Sequence, residues 1–236
     1  MRLTPQNAVF TAIDTTDLDA AIALGKSIAP ISGGIKLGKE FFTSHGPQGV
    51  MAVAGEMTPL FLDLKFHDIP NTVAGGVRAA AKFIKPTMLT IHASGGPAMI
   101  RAAADASAEF GEGRPLILGV TVLTSMDDAD LNAVGVDSPA KDQVLRLAEL
   151  AQKNGADGVI CAPQEIQALR RVCGPDFKLV VPGIRPIGTD HGDQKRVKTP
   201  IEAMTDGATY LVIGRPITGA EDPAAAVSAI VGDIAA

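Results

Sequence analysis

Eight short apolar, β-prone runs, spaced by roughly 20 to 40 residues, limit this chain's fold more than any other feature. They are AVFTAID (8–14), GGIKLG (33–38), LFLDLK (60–65), MLTIHA (88–93), LILGVTVL (116–123), DGVICA (157–162), KLVVPG (178–183) and YLVIGR (210–215). Their near-continuous apolar character suits parallel strands covered on both faces. The alanine-rich stretches between them supply the covering helices, as repeated βα units require. Eight such units within 236 residues point to a (β/α)8 barrel, a TIM barrel, as a single domain over residues 1–236. A doubly wound open sheet is the alternative, because strand order is not written in the spacing.

The helical stretches carry their own start and stop signals. DLDAAIALGKSIA opens on an acid and repeats apolar residues at helical spacing, as does NTVAGGVRAAAKFI. SPAKDQVLRLAELAQKNGA opens with Ser138-Pro139, an expected N-cap and first helical residue, and stops at Asn154-Gly155. The net charge of −5 argues against nucleic acid as the main partner, although one site can still be locally basic. Cys161 and Cys173 match neither a CxxC pair nor a zinc knuckle, which fits a reducing cytoplasm. No run approaches the ~18 apolar residues of a membrane helix, and MRLTPQNAVF lacks the apolar stretch of an export signal. A cytoplasmic protein with no membrane partner is expected.

In a barrel of this kind, chemistry sits where strands end and βα loops begin. The polar residues fall there. Asp14 ends the first run, Lys36 lies near the end of the second, Asp63 and Lys65 end the third, and His92 ends the fourth. Thr124 and Ser125 follow the fifth, Arg185 follows the seventh, and Gly214-Arg215 end the eighth. Strand alternation places Asp63 and Lys65 on one face. A salt bridge accounts for that pair but leaves Asp68 spare, and buried charge clusters are a poor source of stability. A proton-transfer or electrostatic site explains the cluster better.

A second cluster is PGIRPIGTDHGDQKRV (182–197), Gly-rich and carrying Arg185, Gln194, Lys195 and Arg196. Barrel phosphate sites often use the loops after the last two strands. Gly214 leaves backbone N–H groups accessible, and Arg215 can form a charged fork to a phosphate. Other patterns fail. GGIKLGK has P-loop spacing, but Glu40 follows where Ser or Thr should be, and the run lies within a strand. His45, His67, His92 and His191 are scattered without an HExxH pattern, so no metal site is expected, and His67 and His92 read as supporting residues. No GxGxxG follows the first strand.

DLKFHDIPNT (63–72) resembles the signature of the orotidine 5′-monophosphate decarboxylase family. The likeness continues through AID (12–14), IKLG (35–38), HASGG (92–96), VTVLTSM (120–126), PGIRP (182–186), DQKR (193–196) and IGRPIT (213–218), in the family's order. Val181 departs from it, standing where many relatives have Thr.

The resemblance implies a cofactor-free enzyme that converts orotidine 5′-monophosphate to uridine 5′-monophosphate (UMP) and carbon dioxide, the last step of pyrimidine nucleotide synthesis. It implies a homodimer with shared sites. In that reading Lys65 protonates C6, Asp63 sits near the departing carboxylate, and Lys36 holds Asp63 and contacts ribose. Asp14 binds ribose hydroxyls, and Asp68 and Thr72 reach the neighbouring subunit's site. Thr124 and Ser125 meet the pyrimidine, while Arg185, Gln194, Gly214 and Arg215 take the phosphate. Two alternatives remain open: a Mg²⁺-dependent aldolase of the hexulose-phosphate synthase type, which shares the D-x-K-x-x-D strand, and a non-catalytic nucleotide sensor.

Overall fold

A computed structural model describes residues 4–186 and 197–236. Eight parallel strands close into a barrel in chain order: β1 (Val9–Ile13), β2 (Gly34–Gly38), β3 (Leu60–Phe66), β4 (Met88–His92), β5 (Leu116–Val120), β6 (Gly158–Ile160), β7 (Lys178–Val181) and β8 (Tyr210–Ile213). Pairing of β1 with β8, in register at Phe10 and Val212, completes the ring. The barrel is therefore borne out, and the open sheet is set aside.

Helices sheathe the ring: α1 (Pro5–Ala8), α2 (Leu18–Ile28), α3 (Lys39–Ala54), α4 (Pro70–Ala79), α5 (Gly96–Ala108), α6 (Asp128–Ala133), α7 (Ala140–Lys153), α8 (Ile166–Cys173), α9 (Pro200–Thr205), α10 (Arg215–Thr218) and α11 (Pro223–Ala235). Local chemistry sets their ends. Asp17 caps α2 through the Ala20 N–H at 2.9 Å, satisfying a donor the helix leaves open. Inside α3, Gly46 adopts φ +60° before Pro47 and kinks the helix, a conformation that favours glycine. Among the described residues, no helix is long and apolar enough to cross a membrane.

Strand alternation divides the core in two. One face of each strand points outward, so Val9, Ile13, Ile35, Leu37, Leu62 and Leu89 pack beneath the helices. The other face fills the barrel with Phe10, Ala12, Phe61, Met88, Leu118, Val180 and Val212. Phe10 meets Tyr210 and Phe61 edge-on, with ring centroids 5.6 and 6.5 Å away, an arrangement favoured by the ring quadrupoles. Gly34 makes room for that packing, because a Cβ there would lie 2.4 Å from the Phe10 ring. The interior below the mouth is thus filled, and open volume is left to the ends of the strands.

Two expected boundaries shift. The eighth strand stops at Ile213, and Arg215 begins α10 instead of ending the strand. Helix α7 starts at Ala140 with Pro139 as its N-cap and no cap bond from its own N-cap side chain. Ser138 is therefore not the N-cap. Pro139 sits extended at φ −53° and ψ 146°, so the helical turn begins one residue later than the Ser-Pro signal implied.

Candidate active site

The charged residues of β2 and β3 converge on the wall of a cavity of about 210 Å³ at the barrel mouth. Lys36, Asp63 and Lys65 line one side, and Phe61, Val120, Val122, Ile160 and Val212 are among the apolar residues of the rest. The charged groups of this wall thus stand directly against apolar surface. Such a cavity suits a ligand whose flat body lies on apolar surface and whose polar groups meet the charged side.

Lys65 Nζ donates to Asp63 Oδ2 at 2.7 Å, and Thr90 Oγ1 donates to Asp63 Oδ1 at 2.9 Å. Both carboxylate oxygens are thereby engaged and the group is held in one orientation. Thr90 closes the circuit, since its Oγ1 also accepts the backbone N–H of Lys65 at 2.8 Å. Simple alternation does not produce this geometry. The β3–β4 register runs from Leu62↔Leu89 to Phe66↔Ile91, so β3 has two extra residues there. Lys65 occupies this bulge at φ +53°, a conformation that is uncommon outside glycine. Bulges of this kind re-aim side chains near active sites, and left-handed backbone in a non-glycine residue stores strain where function holds it.

Thr90 was not among the sequence-based candidates. It is fully buried, and its signal was a hydroxyl two residues before His92 on the inward face of an otherwise apolar strand. Lys36, itself buried, donates to Asp14 Oδ1 at 3.1 Å rather than to Asp63. The mouth therefore has two adjacent pairs, Lys36–Asp14 and Lys65–Asp63. His92, half-buried at the end of β4, lies with its ring centroid 5.2 Å from that of His67. Burial chiefly, then the charges of His67, Lys39 and Lys65, hold its pKa below the ordinary value, against the pull of Asp63.

Residues 7–230 match the orotidine 5'-phosphate decarboxylase / HUMPS family. The chain belongs to that family. It is 53% identical over 232 residues to the orotidine 5'-phosphate decarboxylase of Paramagnetospirillum magneticum, covering 97% of this chain and 98% of that protein. The Moorella thermoacetica orotidine 5'-phosphate decarboxylase is 48% identical over 239 residues, covering 99% and 94%. Among solved structures, the orotidine 5'-phosphate decarboxylase of Lactobacillus acidophilus superposes with a TM-score of 0.85 at 38% identity, covering 97% of this chain and 99% of that one.

The remaining described residues expected from the family resemblance lie on the segments that follow the strand ends. Thr124 lines the cavity, whereas Ser125 is exposed and lines a neighbouring depression of about 530 Å³. Asp68 and Thr72 are exposed around the start of α4, beside Ile69 at 66% exposure. Arg185 is buried after β7, donating its backbone N–H to Lys198 O at 3.0 Å. Gly214 caps α10, and Arg215 is exposed at its first turn. Gln194, Lys195, Arg196 and His191 lie outside the described residues.

Proposed function

We propose that this chain, acting in the cytoplasm, decarboxylates orotidine 5′-monophosphate to uridine 5′-monophosphate and carbon dioxide, with Lys65 donating the proton to C6. The observation that carries the reading is the Lys65–Asp63–Thr90 circuit in the wall of the mouth cavity. Family membership and full-length similarity to proteins named as this decarboxylase support it.

The chemistry asks for these groups. Breaking the C6–carboxylate bond releases carbon dioxide and leaves the electron pair on C6 in the ring plane, where the ring π system cannot absorb it. Fixed charge beside that carbon must therefore stabilise it. The Lys65 ammonium is placed to do so, and it then transfers its proton to C6 and recovers another from solvent. Asp63 faces the departing carboxylate. Two such charges ~4 Å apart repel by roughly 4 kcal/mol at an effective dielectric of 20, too little for a large acceleration alone. Lys65 and exclusion of water by the apolar wall take the larger share.

In this reading Lys36 and Asp14 hold the ribose, and Thr124 and Ser125 hold the pyrimidine. Arg185, Gln194, Gly214 and Arg215 bind the phosphate, whose remote binding energy organises the charged array. The exposed Asp68, Ile69 and Thr72 are covered by a second copy, so that Asp68 and Thr72 complete its site. The reaction is proposed to run on these side chains without a cofactor.

The test is ultraviolet absorbance of orotidine 5′-monophosphate with the purified chain and EDTA. Loss of the orotate chromophore, with uridine 5′-monophosphate identified by chromatography, is expected. An unchanged spectrum from folded protein would reject the reading and favour the Mg²⁺-dependent aldolase or the sensor.

A further inference from the structure

The segment after β5 forms a partition at the mouth. Thr124 lines both the cavity that holds Lys65 and the outer depression, which is also lined by Ser125, Asp127, Asp128 and Ala140. What fixes the outer edge of this partition lies twelve residues away. Asp128 Oδ1 accepts the backbone N–H of Ala140 at 2.7 Å. Ala140 is the first residue of α7, whose own N-cap side chain makes no cap bond. The Asp142 and Gln143 N–H groups already bond Pro139 O at 2.9 and 3.0 Å. Asp128 therefore satisfies an open donor of α7 from a distance, and its charge is favoured at a helix start.

Other bonds stiffen the same segment. Asp127 caps α6 through the Ala129 and Asp130 N–H groups, and Asp130 Oδ2 accepts the Asp127 N–H at 3.0 Å. The Met126 N–H bonds Leu123 O at 2.9 Å, closing the turn that carries Thr124 and Ser125. Helix α7 is anchored in the core through Val144, Leu147, Ala148 and Ala151. Asp128 thus ties the turn that borders the cavity to a helix that is fixed against the barrel.

We infer that Asp128 is a positioning residue for substrate binding: by capping α7 at Ala140 it holds the Thr124–Ser125 turn against the mouth. This rests on the decarboxylase reading for the identity of the substrate, but not for the clamp itself. The turn contributes binding surface, while the reacting groups sit on β3. Loosening it should therefore weaken binding of substrate and transition state alike, raising KM with little change in kcat.

The test compares the wild-type chain with Asp128→Ala, Asp128→Asn and Ser138→Ala, using steady-state decarboxylation of orotidine 5′-monophosphate, thermal melting and amide exchange at Ala140. Asp128→Ala is expected to raise KM about fivefold, the factor that corresponds to one lost capping bond, with kcat within about twofold. The Ala140 amide should exchange faster. Asn also caps helices, so Asp128→Asn should restore KM, and Ser138→Ala should change nothing. A wild-type KM in folded Asp128→Ala would overturn the inference even if the melting temperature fell, because a purely structural cap moves stability alone. Failure of Asp128→Asn to restore KM would also overturn it. If the wild-type chain does not turn the substrate over, the functional reading fails and the substrate half of the inference falls with it, whereas Ala140 exchange still decides the clamp.

Discussion

Each end of the barrel carries a carboxylate paired with a base, yet the two pairs have opposite surroundings. At the closed end, Arg114 in the approach to β5 forks onto Asp157 at 2.8 and 2.5 Å, and Asp157 Oδ2 also accepts the Ile117 N–H at 2.8 Å. The Asp157 N–H returns a bond to Ile117 O at 2.9 Å. This pair splices two strands together, and its hydrogen bonds serve backbone. At the open end, Lys65 and Asp63 meet at 2.7 Å in the wall of a cavity, with Lys65 in left-handed backbone. Contact distance and charge type therefore do not distinguish a splice from a reactive site. Adjoining volume and a conformation the rest of the fold must enforce do distinguish them.

The largest expected break of this contrast is at Lys65. On the proposed mechanism, Lys65→Ala should lower turnover by about 10³-fold or more, because it would remove both the proton donor and the stabilising charge. The fold should persist, since Thr90 still donates to Asp63. Near-wild-type turnover in the absorbance assay would remove Lys65 from the mechanism. Lys65→Gly sharpens the point. It should be as inactive as Lys65→Ala but more stable by about 1 kcal/mol, because glycine accepts φ +53° without a Cβ penalty. Equal urea midpoints for the two variants would mean that no strain is stored there.

Arg114→Ala should do the reverse. Loss of the fork from a partly exposed pair should lower stability by about 1–2 kcal/mol, read from urea unfolding, and leave kcat per folded molecule unchanged. A large fall in kcat with intact stability would erase the distinction between the two ends.

Sequence reached most of the architecture because parallel strands in a barrel are apolar on both faces and recur at fixed spacing. It also reached the mouth: Asp14, Lys36, Asp63 and Lys65 were all found from their positions at strand ends. What stayed hidden was geometry that depends on a neighbour. The bulge at Lys65 is a register shift between β3 and β4, and no property of DLKF alone reveals it. In sequence Thr90 is one more β-branched strand residue, and its role rests on a hydroxyl shared between Asp63 and the Lys65 backbone. Ser138-Pro139 carried a sound local capping signal, yet the cap of α7 is Asp128, a tertiary contact that local spacing does not encode.

The smallest effect separates the two ends by pH. His92 ends β4 near the Lys65–Asp63 pair, and burial, then the His67 ring, Lys39 and Lys65, depress its pKa below the ordinary 6.5. The folded chain therefore binds fewer protons here than the unfolded chain just below that value. The associated stability is present above 6.5 and is lost as pH falls through the lower folded-state value. His92→Gln should accordingly flatten the decline in urea midpoint between neutral pH and about pH 5.5. At the closed end the Asp157 hydrogen bond raises the Arg114 pKa, so that guanidinium keeps its charge throughout this window. Arg114→Ala should then lower the midpoint equally at both pH values. If His92→Gln left the slope unchanged, the acid sensitivity would lie elsewhere. A pH-dependent Arg114→Ala effect would show that the splice also titrates, and the two ends would no longer differ in kind.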